Sequence, residues 1–225
     1  MCAVGEAMEA QGERPGAAFE IGEIDAVGGD GGGGDRAGHG GDGSRVRCDN
    51  RHPDRLFTDR GTVRSVFCVG DTQFTVTFHG VRGSTPCHGP ATARYGGNTS
   101  CVSIEAEGTQ PIVLDMGTGI RYFGEKFCGE QFRGAALVTH LHWDHVQGVP
   151  FFQPLLEKGN ELDIYAPAQE DGSSLQDAFG RIICPPAFPV TLDLFSGTFR
   201  FHELGNASFD IGKVRVTSRL VPHIG

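Results

Sequence analysis

His140, His142, Asp144 and His145 stand together in ALVTHLHWDHVQG, four metal-binding side chains at fixed spacing. Side chains alternate between the faces of a strand, so His140 and His142, at the end of the apolar run GAALVTH, point to one side and bring two imidazoles to one point. Asp144 and His145 follow where the chain leaves the strand, and a loop there can turn them toward a second, nearby point. Imidazole nitrogens and a carboxylate suit Zn²⁺, with Mn²⁺ or Fe²⁺ as alternatives, at about 2.0–2.2 Å for zinc. Four ordinary polar residues at a strand end are the plainer alternative.

Three other segments offer groups that could support such a site. Gly80-Val-Arg-Gly-Ser-Thr-Pro86 is a glycine-rich turn that can aim amides at an anion, with Arg82 pairing a phosphate oxygen; it also reads as a plain strand-to-loop turn. Asn98, in YGGNTS, can donate or accept at a pocket wall, though Asn after Gly-Gly is equally hairpin chemistry. Asp115 ends an apolar strand and can accept the second N–H of a metal-binding histidine, or simply form a turn before Gly117. His79 and His88 lack partner spacing and read as structural or solvated. Trp143 reads as packing or lining a pocket mouth.

The elements that must hold these residues are mostly extended. Strands are expected at 74–80, 100–106, 111–117, 134–140, 161–167, 198–204 and 213–222, from β-branched and alternating patterns. Helical spacing covers 119–130 and 173–183, the latter with Ser173 as N-cap, and 145–158 begins helical before Pro150 and Pro154 break it. This alternation defines an α/β or α+β chain.

Of the 225 residues, the first 72 carry 13 acidic and 8 basic side chains and the tract GGDGGGGDRAGHGGDG, with too little apolar surface to offset the entropy of ordering. Residues 1–72 are therefore expected to be a disordered, glycine-rich extension, and 73–225 the folded domain. The 3 lysines against 16 arginines fit a GC-rich coding sequence, whose reading frame can run upstream of the working start. A net charge of −9 argues against a broad basic face for extended nucleic acid. No apolar run is long enough to span a membrane, and the start lacks an export signal. The 7 scattered cysteines form no CxxC pair, which fits reduced thiols in a cytoplasm and argues against cysteine-bound zinc.

HxHxDH resembles the hallmark of the metallo-β-lactamase superfamily. FHGVRGSTPCHGPATARYGGNTSCVSIE, IVLDMGTGIR and VTHLHWDHVQGVPFF narrow the resemblance to the branch of phosphoribosyl cyclic phosphate phosphodiesterases, with ribonuclease Z more distant; it covers Phe74 to Gly225. It implies a four-layer αββα sandwich with two metals at one edge, His140 and His142 on the first and Asp144 and His145 on the second. A third histidine for the first metal is expected after a later strand, where VRVTSRLVPHIG places His223; His202 in FRFHEL is the competitor and reads better as a sheet residue. The resemblance also tips Asn98 toward the metal edge.

The family's metal-bridging aspartate and last histidine have no counterpart before Gly225. The second site is accordingly expected to be weak, the sandwich incomplete in its second half, and the activity of this form in doubt. The implied reaction is attack of metal-bound hydroxide on a small or cyclic nucleotide-like phosphodiester, with Asp144 as the catalytic carboxylate. A thioester, lactone or β-lactam hydrolase, and a non-catalytic metal-binding or redox-sensing domain, are the alternatives. A homodimer is compatible with the sequence.

Overall fold

The computed structural model describes residues 16–26, 55–57, 62–69 and 72–223. They form the strands β1 (Gly16–Ala26), β2 (Arg55–Phe57), β3 (Val63–Val69), β4 (Thr72–Gly80), β5 (Cys101–Ala106), β6 (Ile112–Leu114), β7 (Arg133–Leu137), β8 (Glu161–Pro167), β9 (Thr198–Leu204), β10 (Ala207–Ile211) and β11 (Val214–His223). The α-helices are α1 (Ile120–Gly124), α2 (Trp143–Val146) and α3 (Leu175–Ile182). A large sheet runs β2-β3-β4-β5-β6-β7-β8-β9 and a small one β1-β11-β10. This mixed, sheet-dominated architecture is α+β.

The large sheet is antiparallel from β2 to β6 and parallel from β6 to β9. Its parallel strands are covered on both faces, as crossover connections require. Leu162, Ile164 and Ala166 of β8 pack with Phe123, Phe132, Phe152 and Phe179 on the helix side. On the other face Ile104, Ile112, Ala135 and Leu137 meet Ile211, Val214 and Val216 of the small sheet. Helices, large sheet and small sheet thus make three layers among the described residues.

Several expected boundaries move for local reasons. The glycine tract lies outside the described residues, but Gly16–Ala26, Arg55–Phe57 and Val63–Val69, all within the expected extension, are strands. β3 pairs with β4 from Val63↔Phe78 to Val69↔Thr72, so the sheet begins before Gln73. The helix expected at 119–130 is one α-turn followed by a 3-10 turn at Glu125–Phe127. Two 3-10 turns, each with proline in its first two positions, follow α2 where the prolines break the helix. Ser174, not Ser173, caps α3, accepting from Asp177 N–H at 3.1 Å; the Ser173 hydroxyl donates instead to Asp171. No described helix is long and apolar enough to cross a membrane.

Candidate metal centre

β7 ends at Leu137, earlier than expected, so His140 and His142 stand in the loop beyond it. The ladder stops because Thr139 turns to Asp115, giving its N–H and its hydroxyl to Oδ1, each at 2.9 Å. The two imidazoles nevertheless converge, with ring centroids 4.4 Å apart. His223 arrives from the end of β11 and lies 4.2 Å from the His140 ring and 4.9 Å from that of His142. One ligand nitrogen from each of the three lies within 4.8 Å of the others.

Burial, followed by the neighbouring imidazoles of His145, His142 and His223, lowers the pKa of His140 to about 4. Burial and then His223 lower that of His142. These rings are neutral at pH 7 and present lone pairs rather than protons, as metal ligands must. The donor set therefore fits a divalent cation such as zinc. Because the Thr139 hydroxyl gives its proton to Asp115, it can only accept from His140 Nδ1, at 3.0 Å, which leaves Nε2 of His140 as the nitrogen that carries the lone pair.

Asp144 and His145 sit in α2, for which His142 is the N-cap residue. His145 Nδ1 donates to Asp115 Oδ2 at 2.7 Å, and its Nε2 is 3.5 Å from Asp144 Oδ2. The His145 ring lies 4.1 Å from that of His140, so Asp144 and His145 adjoin the three-histidine cluster without joining it. Burial alone would lower the His145 pKa, but the hydrogen bond and charge of Asp115, with Asp144, outweigh it and the net shift is upward.

Asp115 is buried and adopts φ +58°, unusual outside glycine but least costly for Asp and Asn. It also accepts from the Ser100 hydroxyl at 2.8 Å. The carboxylate thereby orients His145 directly and His140 through Thr139.

On the other side of Asp144, the Ser84 N–H donates to Oδ2 at 2.7 Å. Burial pushes the Asp144 carboxyl up, but this bond and the nearby His145 prevail and hold it below its ordinary value. Ser84 has φ +63° inside a tight turn closed by Thr85 N–H to Gly83 C=O at 2.8 Å. That turn is the rare form of γ-turn, and such local strain persists where surrounding contacts over-determine it. Here the Asn98 carbonyl accepts from Val81 and Arg82 N–H, while its side chain reaches His79 C=O and the Thr118 hydroxyl. Asn98 thus braces the loop rather than facing the histidines. Arg82 is exposed on that loop and does not line the pocket described next.

A pocket of about 190 Å³ opens over the cluster, lined by His140, Leu141, His142 and His223 on one side and by Pro167, Ala168, Gln169 and Glu170 on the other. His202 lies elsewhere, 2.9 Å from Asp163 and stacked on Tyr165. His79 is buried against Phe123, with Nε2 2.9 Å from the Ser103 hydroxyl. His88 and Trp143 are exposed. Thr139, Ser100 and Ser84 were not anticipated from sequence; only the position of Thr139 directly before His140 marked it.

No family model matches the chain. Over 118 residues it is 30% identical to "Ribonuclease Z" of Natronomonas pharaonis, covering 51% of this chain and 35% of that protein. The chain therefore spans about a third of the length of the curated relative it matches. Ribonuclease Z is a metallo-β-lactamase superfamily member, and the similarity, with the histidine cluster, supports that superfamily and a metal-dependent hydrolase at the family level, not a particular branch.

Proposed function

We propose that the chain is a zinc-dependent phosphodiesterase of the metallo-β-lactamase type, built on the αββα plan and acting on a small or cyclic nucleotide-like phosphodiester in the cytoplasm. The observation that carries this reading is the convergence of His140, His142 and His223 on one wall of a pocket. These three residues would hold the first cation, and Asp144 with His145 a second, weaker one. A bound divalent cation supplies Lewis acidity toward a phosphoryl oxygen and toward water.

The chain's own groups do the rest. Asp115 and Thr139 present Nε2 of His140 and of His145 and keep both rings from rotating. Ser84 N–H donates to Oδ2 of Asp144 and, with the nearby His145, keeps this carboxylate charged. Leu141, Pro167 and Ala168 add apolar surface to the pocket lining. The described pocket lining carries Glu170 and no lysine or arginine, which disfavours a long polyanion and supports a small diester. Among the described residues Cys87, Cys101, Cys128 and Cys184 are free thiols, which fits a reducing compartment.

The test is hydrolysis of bis-p-nitrophenyl phosphate against a panel of lactones and thioesters, with and without added Zn²⁺ or Mn²⁺. Metal-dependent turnover of the diester, abolished in His142→Ala, is expected. Turnover of lactones alone would overturn the proposal in favour of a carbonyl hydrolase on the same scaffold.

A further inference from the structure

β11 carries His223, yet its two halves are held differently. β10 pairs with its first half only, from Ile211↔Val214 to Ala207↔Ser218. Beyond Ser218 the β10 side offers side-chain contacts: Asn206 Oδ1 accepts from Leu220 N–H at 2.7 Å, and Arg219 reaches the Ala207 carbonyl at 3.5 Å. Among the described residues, strand pairing of Arg219–His223 is with β1 alone, from Glu20↔Arg219 to Gly16↔His223. N–H groups alternate between the two edges of a strand, so Pro222 shares the orientation of Leu220, and its missing donor falls on the side away from β1.

β1 comes from the segment whose composition reads as a disordered extension, and it runs the length of β11, ending at Ala26↔Val214. Its register sets Glu20 opposite Arg219 and Asp25 opposite Arg215, with one irregularity between Ile21 and Glu23. A one-residue slip of this ladder would turn every side chain of the strand end to the other face.

From this geometry we infer that the N-terminal strand Gly16–Ala26 is a working part of the metal centre, positioning His223 by supplying the ladder that fixes the end of β11. The inference rests on the metal-centre reading above and adds to it an element over 100 residues before the HxHxDH segment. Without β1 the cluster keeps His140 and His142 on their loop, but its third imidazole hangs from a strand end with no strand neighbour.

The test uses the full chain, reduced, with the double substitution Phe19→Pro and Glu20→Pro. Because consecutive N–H groups face opposite edges, one of the two prolines must remove a donor aimed at β11. Two readouts are taken: zinc affinity by chelator competition, and amide hydrogen exchange of the metal-free protein. Zinc affinity is expected to fall about tenfold to hundredfold, the range for losing a group that orients a ligand. Exchange should accelerate at Arg219, Val221 and His223, whose N–H groups face β1, while Ile112–Leu114 and Arg133–Leu137 stay protected. A milder variant, Ala18→Gly with Glu20→Gly, should move both readouts the same way by less, and it replaces the proline variant if that one loses the large sheet. Unchanged zinc affinity and unchanged exchange at Arg219, Val221 and His223 would overturn the inference. If the unaltered chain binds no zinc, the metal-centre reading falls, and positioning by β1 is then decided by exchange at Arg219, Val221 and His223 alone.

Discussion

At the scale of single residues, the proposed site rests on the groups that hold the histidines as well as on the histidines themselves. Asp115→Asn keeps the volume but replaces one acceptor oxygen with an NH₂ and removes the charge beside His145. It is expected to weaken zinc binding about tenfold to hundredfold, measured by chelator competition, and unchanged affinity would contradict the orienting role. His79 gives a pH prediction away from the cluster. Burial, aided by Lys126, lowers its pKa to about 4 from an ordinary 6.5. The unfolded chain therefore takes up this proton first, and stability falls as pH drops from 6.5 to 4, by about 3 kcal/mol for this group. His79→Gln should flatten that part of the metal-free protein's stability profile in urea titrations; an unaltered slope would count against it. The residues legible in sequence were contiguous ones: His140, His142, Asp144 and His145 announce themselves by spacing. Asp115, Thr139 and Ser84 did not, or only weakly, because their contacts to His145, to Asp115 and to Asp144 close over 30, 24 and 60 residues.

At the scale of elements, strands built on β-branched alternation were readable and their ends were not. β7 and β6 stop short of the expected 140 and 117 because Thr139 and Asp115 leave the ladder to bond each other, a choice no local pattern encodes. β3 was hidden because a short apolar run is diluted when composition is averaged over an acidic, glycine-rich stretch. The packing of α2 against the loop after β6 yields a prediction. A Cβ on Gly148 would lie 2.1 Å from the Gly117 carbonyl oxygen, a backbone atom that cannot swing aside. Gly148→Ala should therefore cost about 1–3 kcal/mol, the range for overpacking, and loosen the 140–145 segment. A thermal midpoint within a degree of the unaltered protein would refute this.

At the scale of the whole molecule, three layers bring one loop, one short helix and one strand end to the same corner. The class of fold was legible from alternating strands and helices, and the HxHxDH segment pointed to a metal site. The role of β1 was not legible, since its partner lies nearly 200 residues away in sequence and composition argues for disorder. The central claim is that His140, His142 and His223 form a metal site, and metal content tests it most directly. After saturation with zinc and dialysis, elemental analysis of the reduced full chain should find at least about one equivalent of zinc. His140→Ala and His223→Ala should each retain far less under the same dialysis. No retained metal in the unaltered chain, or retention in either variant equal to that of the unaltered chain, would contradict the account.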